Sequence, residues 1–282
     1  MKTKMKSIAF QGEHGAYSDL ACRTLFPELT TLPCASFNDA FEAVQNGDAD
    51  LAMIPVDNTI AGRVADVHNL LPGSDLFIIA EHFQPIEHAL LARPEATIEG
   101  LKTVHSHVHA LPQCKKLIKD MALKAYVHAD TAGAAHEVSK NTDLTHCAIA
   151  SKLAAEIYNL QIIKDNVQDE DHNTTRFLVL SPEPETPAIE TPTITSLMFE
   201  TRNIPAALYK SLGGFATNNL GMSKLESYVD ENFQGARFYC DIDGHPETTG
   251  FKNAIEELGF YAKDVKFMGA YPAHTFRRTK NT

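Results

Sequence analysis

His172-Asn-Thr-Thr-Arg-Phe-Leu-Val-Leu180 sets two hydroxyls and a guanidinium immediately before an apolar strand. Polar side chains at the mouth of a buried strand are placed to meet a ligand. The same residues admit a purely structural reading, in which Thr174 and Thr175 favour the strand through their β-branching and Arg176 covers a surface. The segments around them decide between the two.

Upstream, the chain alternates strands and helices. Ser7 to Phe10 reads as a short apolar strand, and a Gly-containing turn, Gln11 to Ser18, delivers it into a helix from about Tyr17 to Phe26. Leu32 to Ala35 is a second strand. Ser36 with Asp39 then forms an N-terminal capping signal for a helix burying Phe37, Ala40, Phe41 and Val44 and ending at Gly47. Leu51 to Val56 is a continuous apolar run, as in a parallel strand buried on both faces. It breaks at Asp57-Asn58-Thr59 before a helix near Arg63 to Leu71.

Leu76 to Ala92 carries two strand-like runs and is read as a crossover into a second lobe, where the rhythm restarts. Lys102 to His105 is a strand. Pro112 opens a helix with the apolar stripe Leu111, Cys114, Leu117, Ile118 and Met121, and Gln113 on its flank. Ala125 to His128 is a strand, Asp130 or Thr131 caps a small-residue helix, and His146 to Ala150 is a buried strand ending at Ser151.

Downstream of the opening stretch, prolines 182, 184, 187 and 192 interspersed with Glu and Thr mark a semi-rigid linker. Beyond it come a strand (Thr193 to Phe199), a helix (Pro205 to Thr217), a strand (Met222 to Val229), a strand alternating Ala236, Phe238, Cys240 and Ile242 against Arg237, Tyr239 and Asp241, a helix burying Phe251, Ala254, Ile255 and Leu258 before Gly259, and a strand. This βαββαβ order is ferredoxin-like.

Composition narrows the function. The 282 residues suffice for two domains, and 44% hydrophobic with 22% charged residues is the balance of a globular protein. A net charge of −11 repels phosphate backbones and anionic membranes, so neither nucleic acid nor membrane is expected as a partner. An anionic substrate would need helix N-termini or a placed Arg. Lys2, Lys4 and Lys6 precede only three apolar residues, too few for a signal peptide, and a cytoplasmic location is expected. The five cysteines lack Cys-x-x-Cys spacing and read as reduced core thiols. His105, His107 and His109 would share a face of an extended segment, but no acidic or thiol ligand spacing accompanies them. Zinc-protease, hydrolase-elbow, P-loop and dinucleotide-binding motifs are absent.

Taken together these residues resemble the prephenate dehydratase family over nearly the whole chain. Gly15-Ala16-Tyr17-Ser18 resembles its first glycine loop, and Pro55-Val56-Asp57-Asn58-Thr59 its Pro-Ile-Glu-Asn-Thr/Ser turn with Asp for Glu. Ser106-His107 followed by Gln113-Cys114 resembles its Ser-His-Pro-Gln…Gln-Cys element, with Val108-His109 replacing Pro-Gln. Asp130-Thr131-Ala132 resembles its helix start, and Thr175-Arg176-Phe177 carries its Thr-Arg-Phe signature unchanged. The C-terminal part is similar to an ACT domain through Asn203-Ile204-Pro205-Ala206-Ala207-Leu208 and Glu226-Ser227, with Tyr228-Val229 where Arg-Pro is usual.

The resemblance implies an α/β fold: a two-lobed, periplasmic-binding-protein-like catalytic domain over 1–182 (lobe 1 about 1–80 and 165–182, lobe 2 about 81–164), a linker at 183–192, and a ferredoxin-like ACT domain over 193–282. It implies cofactor-free, metal-free conversion of prephenate to phenylpyruvate. Thr175 would donate to the leaving hydroxyl, directly or through water. Asn58, Ser106 and Gln113 would orient the substrate, and Thr59, Thr131, Arg176 and Phe177 would contact it. Structural roles stay open for Asn58 as a turn residue, Gln113 as a helix flank, Arg176 as an ion-pair partner and Phe177 as core. Phenylalanine would act as effector at Asn203, Ala207, Leu208, Glu226 and Ser227 in a homodimer or homotetramer. The stretch before Ser7 has no room for a helical mutase domain, so a monofunctional enzyme is expected. Arogenate is the alternative substrate, and a non-catalytic amino-acid sensor the alternative of another class.

Overall fold

The computed structural model describes residues 6–229 and 236–277; Lys2, Lys4 and the side chains of Val229 and Ala236 lie outside what it describes. The chain divides into two compact units. One comprises residues 1–73 and 82–177, the other 74–81 and 178–282.

The first unit opens with β1 (Ser7–Gln11), α1 (Tyr17–Leu25), β2 (Thr30–Cys34), α2 (Phe37–Gln45) and β3 (Leu51–Asn58). β1 pairs in parallel with β2 and β3, and Ile8, Ala9, Phe10 and Leu51 to Ile54 are wholly buried because helices cover such a sheet. At α2, Ser36 Oγ accepts the Asp39 N–H at 3.1 Å and the Asp39 carboxylate accepts the Ser36 N–H at 3.0 Å, the reciprocal cap that the spacing predicts. The short β4 (Gly62–Arg63) turns back on β3, α3 (Ala65–Leu70) follows, and β5 (Phe77–Pro85) leads away.

The second lobe of this unit holds β6 (Ala89–Ala92), β7 (Thr103–His107), α4 (Lys115–Asp120), β8 (Lys124–His128), α5 (Thr131–Lys140), β9 (His146–Ala150), α6 (Lys152–Tyr158) and β10 (Gln161–Lys164). Its strand order is β10-β6-β9-β7-β8. Successive residues serve opposite cores. Leu90 and Ile149 pack with Leu111, Cys114 and Leu117, whereas Leu91 and Ala148 pack with Ala134, Ala135, Val138 and Ala154. The chain then returns through β11 (Thr174–Ser181), giving the order β2-β1-β3-β11-β5. Two elements are hard to see in the sequence: α6 is two turns long with only Ala154 and Ala155 buried, and β10 alternates half-buried and exposed residues.

One helix starts later than its apolar stripe implies. Leu111–Cys114 is a 3₁₀ turn, and the α-helix begins at Lys115, where the Asp169 carboxylate accepts the Lys115 N–H at 2.9 Å. Gln113 therefore lies in a tight turn rather than on a helix flank, its carbonyl bonded by the Asp169 N–H at 2.6 Å.

The second unit contains β12 (Thr193–Thr201), α7 (Ala207–Thr217), β13 (Gly221–Val229), β14 (Ala236–Asp243), α8 (Thr249–Tyr261) and β15 (Ala262–Pro272), in the sheet order β13-β14-β12-β15. Phe238, Cys240 and Ile242 pack beneath the helices with Phe215, Phe251 and Leu258. On the other face of β14, Tyr239 and Asp241 are buried too. The Asp241 carboxylate accepts hydroxyl bonds from Ser196 and Tyr239, both at 2.6 Å, and residues 74–81 cross this face. Lys266 Nζ bonds the Ser74 carbonyl at 2.6 Å, and Arg277 grips the buried Glu81 carboxylate at 2.6 and 2.8 Å. Helix α8 also runs through Gly259 to Tyr261, since that glycine keeps helical backbone and the chain turns directly into β15 at Ala262.

No helix among the described residues is long and apolar enough to cross a membrane. Gly269, at φ +146°, lies directly against the Ile78 backbone, and a methyl group there would overlap the Ile78 carbonyl. Gly269→Ala should cost about 3 kcal/mol or more, read as a lower unfolding midpoint in urea at unchanged m value.

Candidate active site

The end of β3 and the start of β11 meet side by side, and polar side chains lock them together. Thr59 N–H donates to the Thr174 carbonyl at 3.0 Å, Thr59 Oγ1 donates to the His172 carbonyl at 2.7 Å, and Thr174 N–H donates back to Thr59 Oγ1 at 2.9 Å. Within this clamp Asn58 Nδ2 donates to Thr175 Oγ1 at 2.9 Å and to Asn173 Oδ1 at 2.8 Å. Its Oδ1 accepts the N–H groups of Ile60 and Ala61 at 2.9 and 2.7 Å, an Asx turn that aims the amide.

From Asn173 the network crosses to the second lobe. Asn173 Nδ2 donates to Gln113 Oε1 at 2.7 Å, and His88 Nε2 lies 3.0 Å from the same oxygen. The other ring nitrogen of His88 is 2.8 Å from the Tyr17 hydroxyl, which also reaches the Glu87 carbonyl at 2.8 Å. This string of polar groups borders a cleft of about 580 Å³. Burial pulls His88 below the usual histidine range despite the Gln113 bond, and His107 is lowered by burial and by His109. Both shifts favour the neutral ring.

Two helix starts also face the cleft, which Arg63 lines as well. Ala16, Tyr17 and Ser18 line the cleft at the start of α1, whose N-terminus no side chain caps. Asp130 and Thr131 line it at the start of α5, where Asp130 Oδ1 takes the Gly133 N–H at 2.7 Å. Two helix N-termini from two lobes thus border one cavity, each with first-turn amides and a positive dipole end. The lobes touch closely here: Ser151 Oγ donates to the Gly15 carbonyl at 2.5 Å, and a Cβ on Gly15 would lie 2.8 Å from the Ala154 Cα.

Asn58, Gln113, Thr131, Thr175 and Phe177 line the cleft, and Thr59 stands behind it in the clamp. Two residues expected at the substrate lie elsewhere. Ser106 is fully buried in β7 and bonds the Ile149 carbonyl at 2.6 Å, tying two strands of the second sheet together. Arg176 points away from Thr175, as neighbours on a strand must; it is buried 3.9 Å from the Asp57 carboxylate and is not among the lining residues. His107 and His109 line the cleft with ring centroids 5.1 Å apart, whereas His105 stacks on Tyr126 and His146. No group of three potential metal ligands occurs among the described residues.

In the second unit, Asn203 is exposed before α7, Ala207 and Leu208 are half-buried in its first turn, and Glu226 and Ser227 lie on β13 opposite Tyr239 and Phe238. Ala206 holds a left-handed conformation at φ +59°, which glycine adopts with less strain. The residues that the sequence reading overlooked are Tyr17, His88 and Asn173. Asn173 stands beside the Thr-Thr pair and was detectable as one more polar group at the strand mouth. His88 has no local motif, because its partners come from distant elements.

The buried histidines make stability pH-dependent with a definite sign. A histidine whose folded value is lowered binds protons more readily when unfolded, so its contribution is complete above about pH 6.5 and lost as pH falls through that value. The melting temperature should therefore drop between pH 7.5 and pH 5.5, and His88→Gln should flatten the drop.

The prephenate dehydratase family model matches residues 8–185, more than half of the chain. A bifunctional N-acyl-homoserine lactone acylase/prephenate dehydratase from Komagataeibacter europaeus is 46% identical over 96% of this chain and 97% of its own. The chloroplastic arogenate dehydratase/prephenate dehydratase 1 of Arabidopsis thaliana is 35% identical over 96% of this chain and 73% of its own. The crystal structure of prephenate dehydratase from Arthrobacter aurescens in complex with L-Phe superimposes with a TM-score of 0.87 at 26% identity, over 95% of this chain and 90% of that one. The chain belongs to the prephenate dehydratase family of lyases.

Proposed function

We propose that the protein converts prephenate to phenylpyruvate, carbon dioxide and water, with residues 1–182 as the catalytic domain. The observation that carries this reading is the bond from Asn58 Nδ2 to Thr175 Oγ1. With that oxygen accepting from Asn58, the hydroxyl hydrogen of Thr175 is left to donate towards the cleft that Thr175 lines. As the ring carboxylate departs as carbon dioxide, its bonding electrons pass through the ring π system and expel the ring hydroxyl, which takes a proton supplied from solvent water, directly or through the Thr175 hydroxyl, and leaves as water. Thr175 stabilises the charge developing on that oxygen, Gln113 holds an oxygen of the substrate, and the starts of α1 and α5, including Thr131, receive the carboxylate ends. Burial pushes Cys114 and Cys147 up to about 12, which disfavours a thiolate at either position.

Thr175→Ala should lower kcat by about 10² or more with little change in stability. Gln113→Ala should impair turnover, whereas His109→Ala should not. Phenylpyruvate absorbance follows the reaction, and a parallel sample of arogenate tests the alternative substrate. A raised KM at unchanged kcat would make Thr175 a binding group only. Loss of activity with a chelator, restored by zinc, would revive a metal role for the histidines.

The high identity with the bifunctional relative favours a second reading, amide hydrolysis of N-acyl-homoserine lactones. Release of homoserine lactone tests it, and Thr175→Ala tells whether the two activities share a site.

For residues 193–282 we propose an ACT domain, joined by a linker at 183–192, that binds phenylalanine where two copies meet in a homodimer or homotetramer. Its βαββαβ order and the L-Phe complex of the Arthrobacter aurescens relative support this. Asn203, Ala207 and Leu208 at the start of α7, with Glu226 and Ser227 on β13, would supply the contacts. Phenylalanine at millimolar concentration should inhibit turnover and shift sedimentation; no calorimetric heat and no inhibition would leave the domain a structural element.

A further inference from the structure

The amide of Asn58 has one possible orientation. Backbone N–H groups cannot accept, so with Ile60 and Ala61 both donating to Oδ1, the Nδ2 hydrogens must face Asn173 Oδ1 and Thr175 Oγ1, with a longer 3.4 Å approach to the Thr174 carbonyl. That direction passes along the chain. Asn173, its Oδ1 already accepting, presents Nδ2 to Gln113. Gln113 Oε1 then accepts from that side, and His88 can bond the same oxygen only with a hydrogen on Nε2; in that neutral form the single Tyr17 hydroxyl hydrogen turns to His88 Nδ1 in preference to the Glu87 carbonyl.

We propose that Asn173 and His88 are positioning residues, which turn Gln113 Oε1 to the wall so that its Nε2 hydrogens face the cleft, with His88 held in its Nε2–H form. This rests on the dehydratase reading and adds to it a direction. Thr175 O–H and Gln113 Nε2–H become two donors aimed from one continuous chain at substrate oxygens, and Asn173 joins the half fixed by Asn58 to the half fixed by His88. A single reversed amide would present an acceptor to a substrate rich in carboxylate oxygen, where a donor is needed.

Asn173→Asp keeps the shape and replaces the donor facing Gln113 by an acceptor. We expect kcat to fall about 30-fold or more with KM changed less than about threefold and folding preserved. His88→Gln, whose carboxamide supplies the same donor, should keep kcat within about threefold, while His88→Leu should lose about tenfold or more. Histidine ¹⁵N NMR of the resting wild-type protein at pH 7.5 should show His88 protonated at Nε2 and unprotonated at Nδ1. Wild-type kcat in Asn173→Asp, equal losses in the Gln and Leu variants, or an Nδ1–H tautomer would each overturn the proposal. Absence of prephenate turnover in the wild type would remove the reading beneath it, and the tautomer would then be judged by the NMR spectrum alone.

Discussion

Everything at the cleft depends on one Asx turn. Asn58 ends a buried parallel strand, and its side-chain oxygen accepts the backbone N–H groups of Ile60 and Ala61. The turn is local, formed within four residues, yet the groups that it aims belong to a strand more than a hundred residues later in the chain. The β3–β11 clamp thus converts a short-range conformational preference into long-range order. Loop-closure entropy is large for such a separation, and the parallel sheet around β1 and β3 offsets it with wholly buried aliphatic surface.

A polar chain of this length is costly unless every member is satisfied. An amide–amide bond contributes about 1 kcal/mol net, whereas a buried amide left without a partner costs about 1–3 kcal/mol. Asn58, Asn173, Gln113 and His88 meet that demand by sharing oxygens: Gln113 Oε1 serves two donors, and Thr175 Oγ1 accepts from Asn58 while keeping its own hydrogen. The same economy explains Ser106 and Arg176. Each is spent on the scaffold, one on a neighbouring carbonyl and the other beside Asp57, and each thereby steadies a strand from which a cleft residue projects.

The α/β rhythm was legible because capping and burial are local. Ser36 with Asp39, the apolar run at Leu51 and the small-residue helix after Asp130 each declare themselves within a few residues. Failures occurred where long-range partners decide. The start of α4 depends on Asp169, far along the chain, and the buried second face of β14 depends on residues 74–81 crossing it. At the cleft, a motif reports which residues travel together but not which way each side chain turns. Thr175 and Arg176 are adjacent in sequence and end on opposite sides of a strand; His88 carries no motif and fixes the second-lobe half of the network.

Gly15 against Ala154 has a mechanical meaning. Where two lobes meet through long side chains, rotamer changes give the gap a soft, adjustable spring. Here a backbone atom meets a backbone atom with no room for a methyl group, and the Ser151 hydroxyl pins the contact. Densely packed backbone is nearly incompressible, so the contact acts as an end stop with a fixed setting. The start of α1 is thereby gauged against the start of α6 by covalent geometry, with a setting that no side-chain rotamer can change.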